Sequence, residues 1–207
     1  MVEAFAIIGI VVTVIQRQSK TLLPIIPAAL ITFACSVPVF KIHGKKKRLM
    51  EFLLVKITLL SLIWCFMTVT LPMVENNTAV FSTSSVFIFI ERFLFIFAIC
   101  IPFEIRDMEQ EKKRGITNLP QHIGVNMSKA FGIFLLFLFI LIRFIQRSDS
   151  TGTATFKYAL PLTIPDVIAG FLILLSHQHR SNYYFRVFID GTMHLQLILL
   201  IVFNSFR

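Results

Sequence analysis

Long apolar runs separated by short polar breaks set the rhythm of this chain. The runs fall at about residues 3–16, 21–40, 50–73, 82–103, 128–146, 158–178 and 183–206. A bilayer core needs about 20 mostly apolar residues per helical crossing, and lipid offers no partner for unpaired backbone groups, so these runs predict helices and not strands. The first is short: residues 4–16 rise only about 20 Å at 1.5 Å per residue, which suggests a tilted span or one lacking its start. Pro102 predicts a kink where the fourth run meets polar sequence. In the sixth run, Pro161 and Pro165 would break a continuous helix, whereas Thr163-Ile-Pro-Asp166 has the spacing of an N-cap with an acid three positions on. The sixth helix is therefore expected to begin near Ile164, with Asp166 near the outer surface. The expected fold class is an all-α integral membrane protein, one domain over residues 1–207 built as a bundle of about seven transmembrane helices.

Composition supports the membrane reading. Hydrophobic residues make up 56% of the chain and charged residues 15%, with a mean hydropathy of +0.80; soluble domains carry about 25% charged residues. The formal net charge of +9 does not point to nucleic acid, because the basic residues sit in short loops beside apolar runs, where the positive-inside rule accounts for them. The expected partner is the bilayer. Lys41, Lys45, Lys46, Lys47 and Arg48 fill the second loop, Arg106, Lys112, Lys113, Arg114 and Lys129 surround the fourth, and Arg180 and Arg186 mark the sixth. The intervening loops carry only Arg17 and Lys20, then Arg143, Arg147 and Lys157. Loops two, four and six are therefore expected to face the cytoplasm, in the cytoplasmic (inner) membrane if the host is bacterial. Cys35, Cys65 and Cys100 all lie in apolar runs and read as small packing residues. The N-terminus has no basic region of the signal-peptide kind and is read as part of the mature chain.

One segment stands apart, EIRDMEQEKKRGITNLPQHIG at residues 104–124. If the fourth helix continues past Pro102, Glu104, Asp107 and Glu111 recur at i, i+3 and i+7 and share one helix face. Carboxylates at the mouth of a bundle, with Lys and Arg beside them, are the groups that a magnesium-bound diphosphate requires. A solvated loop whose acids and bases simply pair is the plain alternative. Arg186, Asp190 and His194, at i, i+4 and i+8 on the last helix, either line the same cavity and orient a substrate or satisfy one another. Glu91 and Arg92 cannot both face lipid cheaply, so Arg92 is expected to brace the bundle interior. Lys56 and Trp64 read as snorkelling and packing residues, and His177 and His179 as loop residues.

The run from Asp107 to Glu111, the basic stretch Lys112-Lys113-Arg114, Gly115, then Thr117-Asn118-Leu119-Pro120 and Gly124 resembles the second aspartate-rich motif of the UbiA superfamily of intramembrane prenyltransferases. Glu111 stands where that motif has its second Asp, and Asn118 where Ser or Thr is usual. FKIHGKKKR also looks like the basic loop after that family's fourth helix. The resemblance implies that the runs correspond to the family's third to ninth helices, with the motif loop facing the cytoplasm. It implies Mg²⁺-dependent transfer of a prenyl group from an isoprenoid diphosphate to a hydrophobic, electron-rich acceptor. Asp107 and Glu111 would then be the catalytic metal ligands with Glu104 in support, and Arg48, Lys112, Lys113 and Asp190 the substrate-binding residues. The family's first aspartate motif has no counterpart here, since no aspartate precedes Asp107. The chain is thus either a divergent, catalytically inactive relative or one that begins late. The alternatives are an inactive membrane scaffold or lipid-binding protein, and a small secondary transporter using Glu91, Arg92 and Asp190.

Overall fold

The computed structural model describes residues 40–42, 45–47, 54–148 and 154–205. The expected spans at 3–16 and, apart from Phe40, at 21–40 lie outside the described residues, as does Arg48. Apart from a three-residue antiparallel ladder of β1 (Phe40–Ile42) on β2 (Lys45–Lys47), the regular structure is helical. Helix α1 (Val55–Cys65) passes through a π-helical turn, Phe66–Thr70, into α2 (Leu71–Glu75). The wider turn falls just before Pro72, where the ladder loses a donor and the ring crowds the preceding turn. Ser82 caps the next helix, its hydroxyl accepting from the Ser85 N–H at 3.2 Å, and α3 (Thr83–Lys113) then runs unbroken through Pro102 into the polar segment. The short α4 (Leu119–Ile123) leads into α5 (Val125–Ser148); α6 (Ala154–Leu175), a π-helical turn at Tyr184–Ile189 and α7 (Gly191–Ser205) complete the chain.

Three helical stretches, Val55–Glu75, Thr83–Lys113 and Val125–Gln146, are long and apolar enough to cross a membrane, and Thr163–Leu175 is a shorter apolar stretch. This is a helical membrane protein. Its outward faces carry Phe134, Phe137, Val167 and Phe171, side chains that lipid accommodates and water does not.

Antiparallel packing of α5 on α3 forms the centre. Gln146 donates to the Ser84 carbonyl, Arg143 to Glu91, and farther along Gly132 lies against Ile101. A Cβ at Gly132 would sit 3.2 Å from Ile101 Cδ1 and 3.4 Å from Ile173 Cγ2, so the missing side chain lets α3, α5 and α6 approach closely. Phe95 of α3 and Phe139 of α5 stack at 5.2 Å between ring centroids within this core. α6 returns antiparallel to α5, with Lys129 Nζ on the Leu174 carbonyl and Arg143 on Asp166. α7 in turn follows α6, with Tyr184 donating to Leu172 and Gln196 to Asp166.

The sixth helix departs from expectation. It begins at Ala154, not near Ile164, and includes both Pro161 and Pro165. Helices in lipid tolerate proline because surrounding groups can take up the freed carbonyls. Asp166 consequently lies within the helix and inside the bundle at 1% exposure, not near the outer surface.

Candidate functional site

The polar segment is built from a helix end. Gly115 at φ +72° follows α3, the Gly115 N–H bonds the Lys112 carbonyl and the Ile116 N–H bonds the Glu111 carbonyl, both at 3.0 Å. This is a Schellman cap, and it takes a left-handed residue at the glycine position. The chain then folds back. Asn118 Oδ1 accepts from the Gln121 N–H to cap α4, its amide donates to the Glu104 carbonyl at 2.8 Å, and Gln121 Nε2 donates to the Met108 carbonyl at 2.7 Å. The Gly-to-Leu-Pro signature thus clamps the carboxylate-bearing end of α3 in place.

Beside that end is a cavity of about 440 Å³ between α1, α3 and the start of α7. Ile57, Leu60, Trp64, Ile96, Ile99 and Phe103 supply apolar wall, and Lys56, Glu104, Asp107, Asp190 and His194 supply the polar lining. Lys56 Nζ lies 2.8 Å from Glu104 Oε1 and 2.6 Å from Glu111 Oε1, so one ammonium bridges two carboxylates about two helical turns apart. Glu104 is buried at 3% exposure, and Glu111 Oε2 is buried without a hydrogen-bond partner. The trio carries one negative charge beyond what Lys56 neutralises. Asp107 meets the neighbouring guanidinium, Arg106 Nε to Oδ1 at 2.7 Å and Nη2 to Oδ2 at 3.1 Å, and that guanidinium also lies over the Phe103 and Phe185 rings.

Glu104, Asp107 and Asp190 therefore line one cavity, and Lys56 ties Glu111 to it. Lys112 and Lys113 are exposed on the last turn of α3 and do not line the cavity. Asp190 lies within electrostatic range of His194, Arg106 and Arg186, while His194 Nδ1 is 3.3 Å from the Asp190 carbonyl on its own helix. Among the described residues no group of three His, Cys, Asp or Glu side chains comes together as a metal cage. Lys56 was the residue the pattern concealed: a lysine one turn into an apolar run reads as snorkelling, and only the fold brings α1 against the acidic face of α3.

A second polar cluster lies deeper. Arg143 belongs not to a loop but to the bundle interior at 2% exposure. Its Nε bonds Glu91 Oε1 at 2.7 Å, its Nη1 bonds Asp166 Oδ2 at 2.6 Å, and its guanidinium lies 4.1 Å from the Phe139 ring centroid. Gln196 extends the chain, donating to Asp166 Oδ1 at 2.7 Å and accepting from Arg92 Nη1 at 2.9 Å. Because Glu91 and Arg92 are adjacent, the bonds close a circuit through α3, α5, α6 and α7 whose formal charges balance. Arg92 thus has the interior partner that its sequence context demanded.

Fold and cavity together define the class: a helical membrane protein with an amphipathic cavity at one end of its bundle. No family model, curated protein or solved structure matches the chain.

Proposed function

We propose that this protein is a seven-span, UbiA-like membrane protein that binds an isoprenoid diphosphate in the α1–α3–α7 cavity and serves prenyl transfer to a hydrophobic acceptor. The observation that carries the reading is the cavity itself, with an apolar, aromatic wall of Trp64, Ile99 and Phe103 ending at Lys56, Glu104 and Asp107. Such a lining suits an apolar tail with a charged head, and its volume is within the range of about 300–1,000 Å³ usual for ligand pockets. The lining itself holds three carboxylates, Glu104, Asp107 and Asp190, against Lys56, so a diphosphate entering it requires a cation between them. The donors fit Mg²⁺ in the way phosphate sites use it, through one or two carboxylates with substrate oxygens and water completing the shell, and not as an all-protein cage. Glu104 and Glu111, with their charge in excess of Lys56 and the unpartnered Glu111 oxygen, would hold it with Asp107 beside them. When bound, the ion would offset charge developing on the leaving diphosphate. Lys56, bonded to both glutamates, holds their carboxylates together beside the ion, and the apolar wall excludes water from the reacting carbon. The motif loop faces the cytoplasm in this reading.

The test is Mg²⁺-dependent association of farnesyl diphosphate with the protein in nanodiscs. Affinity should fall at least about tenfold in Asp107→Asn/Glu111→Gln, as loss of a charge-assisted contact implies; unchanged affinity would remove the assignment. A second reading, binding without turnover, is favoured by Lys56, whose ammonium already occupies one oxygen each of Glu104 and Glu111. It predicts the same association with no diphosphate release in the presence of aromatic acceptors.

A further inference from the structure

A second cavity, of about 320 Å³, lies on the same seam as the first. Phe66, Val69 and Met73 line it from the helical stretch Val55–Glu75 and Val86 and Phe89 from α3, whereas the first cavity takes Leu60 and Trp64 from that stretch and Ile96 and Ile99 from α3. The two cavities are therefore consecutive along one pair of helices. The break between them falls at Cys65, the last residue of α1, and around Arg92 on α3. Arg92 Nη1 reaches across to Gln196 at 2.9 Å. Gln196 lies one turn beyond Met193 and His194, which line the first cavity, and it is fixed from behind by Asp166 and Arg143.

Arg92 and Gln196 lie beyond the residues that line the first cavity, Ile96 on α3 and Met193 and His194 on α7, so an apolar tail advancing from the Glu104 end would meet this polar bar after 12 residues of α3, about 18 Å. To pass, it must separate a guanidinium from its amide partner in an apolar surrounding, a loss that added hydrocarbon contacts do not recover. We infer that the Arg92–Gln196 bond is a stop that fixes the length of tail the first cavity admits, and that its removal joins the two cavities into one longer channel. The inference rests on the amphiphile-binding reading above.

Wild-type protein in nanodiscs is titrated with geranyl, farnesyl, geranylgeranyl and solanesyl diphosphate in Mg²⁺. Affinity should climb with each isoprene unit until the tail reaches the bar and then stop climbing. In Glu91→Gln/Arg92→Leu/Gln196→Leu, which leaves Arg143 balanced by Asp166, the break should move to a tail at least one unit longer, with at least about a tenfold gain for that tail from the newly buried methylenes. Ile96→Trp raises the floor without touching the circuit and should move the break to a shorter tail, so it decides the matter if the triple variant fails to fold. Met73→Trp, which fills the second cavity, should leave wild type unaltered and cancel the gain in the triple variant. A break at one fixed length in wild type, Ile96→Trp and the triple variant would overturn the stop. The same series of prenyl alcohols separates the two readings. A length break that moves among alcohols while diphosphates fail to bind sinks only the diphosphate assignment, and diphosphates binding equally at every length sink only the stop.

Discussion

Arg143 and Arg106 show how location decides what a charge contributes. Arg143 is enclosed with Glu91 and Asp166, and removing one member of a buried pair leaves the other charge without compensation, at a cost of about 3–5 kcal/mol. Arg106 and Asp107 are each about a quarter exposed, at 25% and 29% of their side chains, and pairs of that kind contribute about 0–1 kcal/mol. Arg143→Met should therefore lower the unfolding temperature in detergent far more than Arg106→Gln; equal shifts would contradict the buried circuit. The sequence made the need for partners evident at Glu91 and Arg92, which sit in an apolar run, but not at Asp166, which it placed near the outer surface. It could not identify the partners, since Arg143 at the end of its run looks like a loop residue until α5 is laid against α3.

At the level of elements, glycines mark where helices stop and where they touch. Gly115 holds a left-handed conformation in the cap of α3, so Gly115→Ala should cost about 1–2 kcal/mol. Because the cap positions the carboxylate end of the helix, the same change should also weaken ligand association. Gly132→Leu forces atoms into the contact with Ile101 and Ile173 and should cost about 1–3 kcal/mol by overpacking, measured as a lower midpoint of thermal unfolding. A wild-type midpoint in Gly132→Leu would mean that α5 does not approach α3 as described. The two signals differ in legibility. A glycine after a basic run is a recognised helix stop, and α3 ends there, whereas the prolines of α6 point the wrong way, because the rules that end helices in water relax where lipid leaves the backbone no alternative partner.

For the whole molecule, the proposed cytoplasmic orientation of the motif loop rests on charge. Lys112, Lys113 and Arg114 cluster at one end of α3, and the transfer of Arg143 from a loop to the interior removes a positive charge from the opposite side, which sharpens the asymmetry that orients membrane proteins. A cysteine replacing the exposed Thr117 in a background without native cysteines should react with an impermeant maleimide in inverted vesicles and not in right-side-out ones; the reverse labelling would overturn the cytoplasmic orientation.

The sequence by itself determined the solvent this chain is made for, the helical character of its spans and the face shared by Glu104, Asp107 and Glu111, because hydropathy and the 3.6-residue period act locally along the chain. Tertiary structure alone decided that Lys56 bridges two of those carboxylates, that Asp166 is interior, and that Arg92 on α3 reaches Gln196 on α7. These contacts join residues on different helices, and which helix faces which is set by close packing around sites such as Gly132, a property of the assembled bundle that no single segment carries.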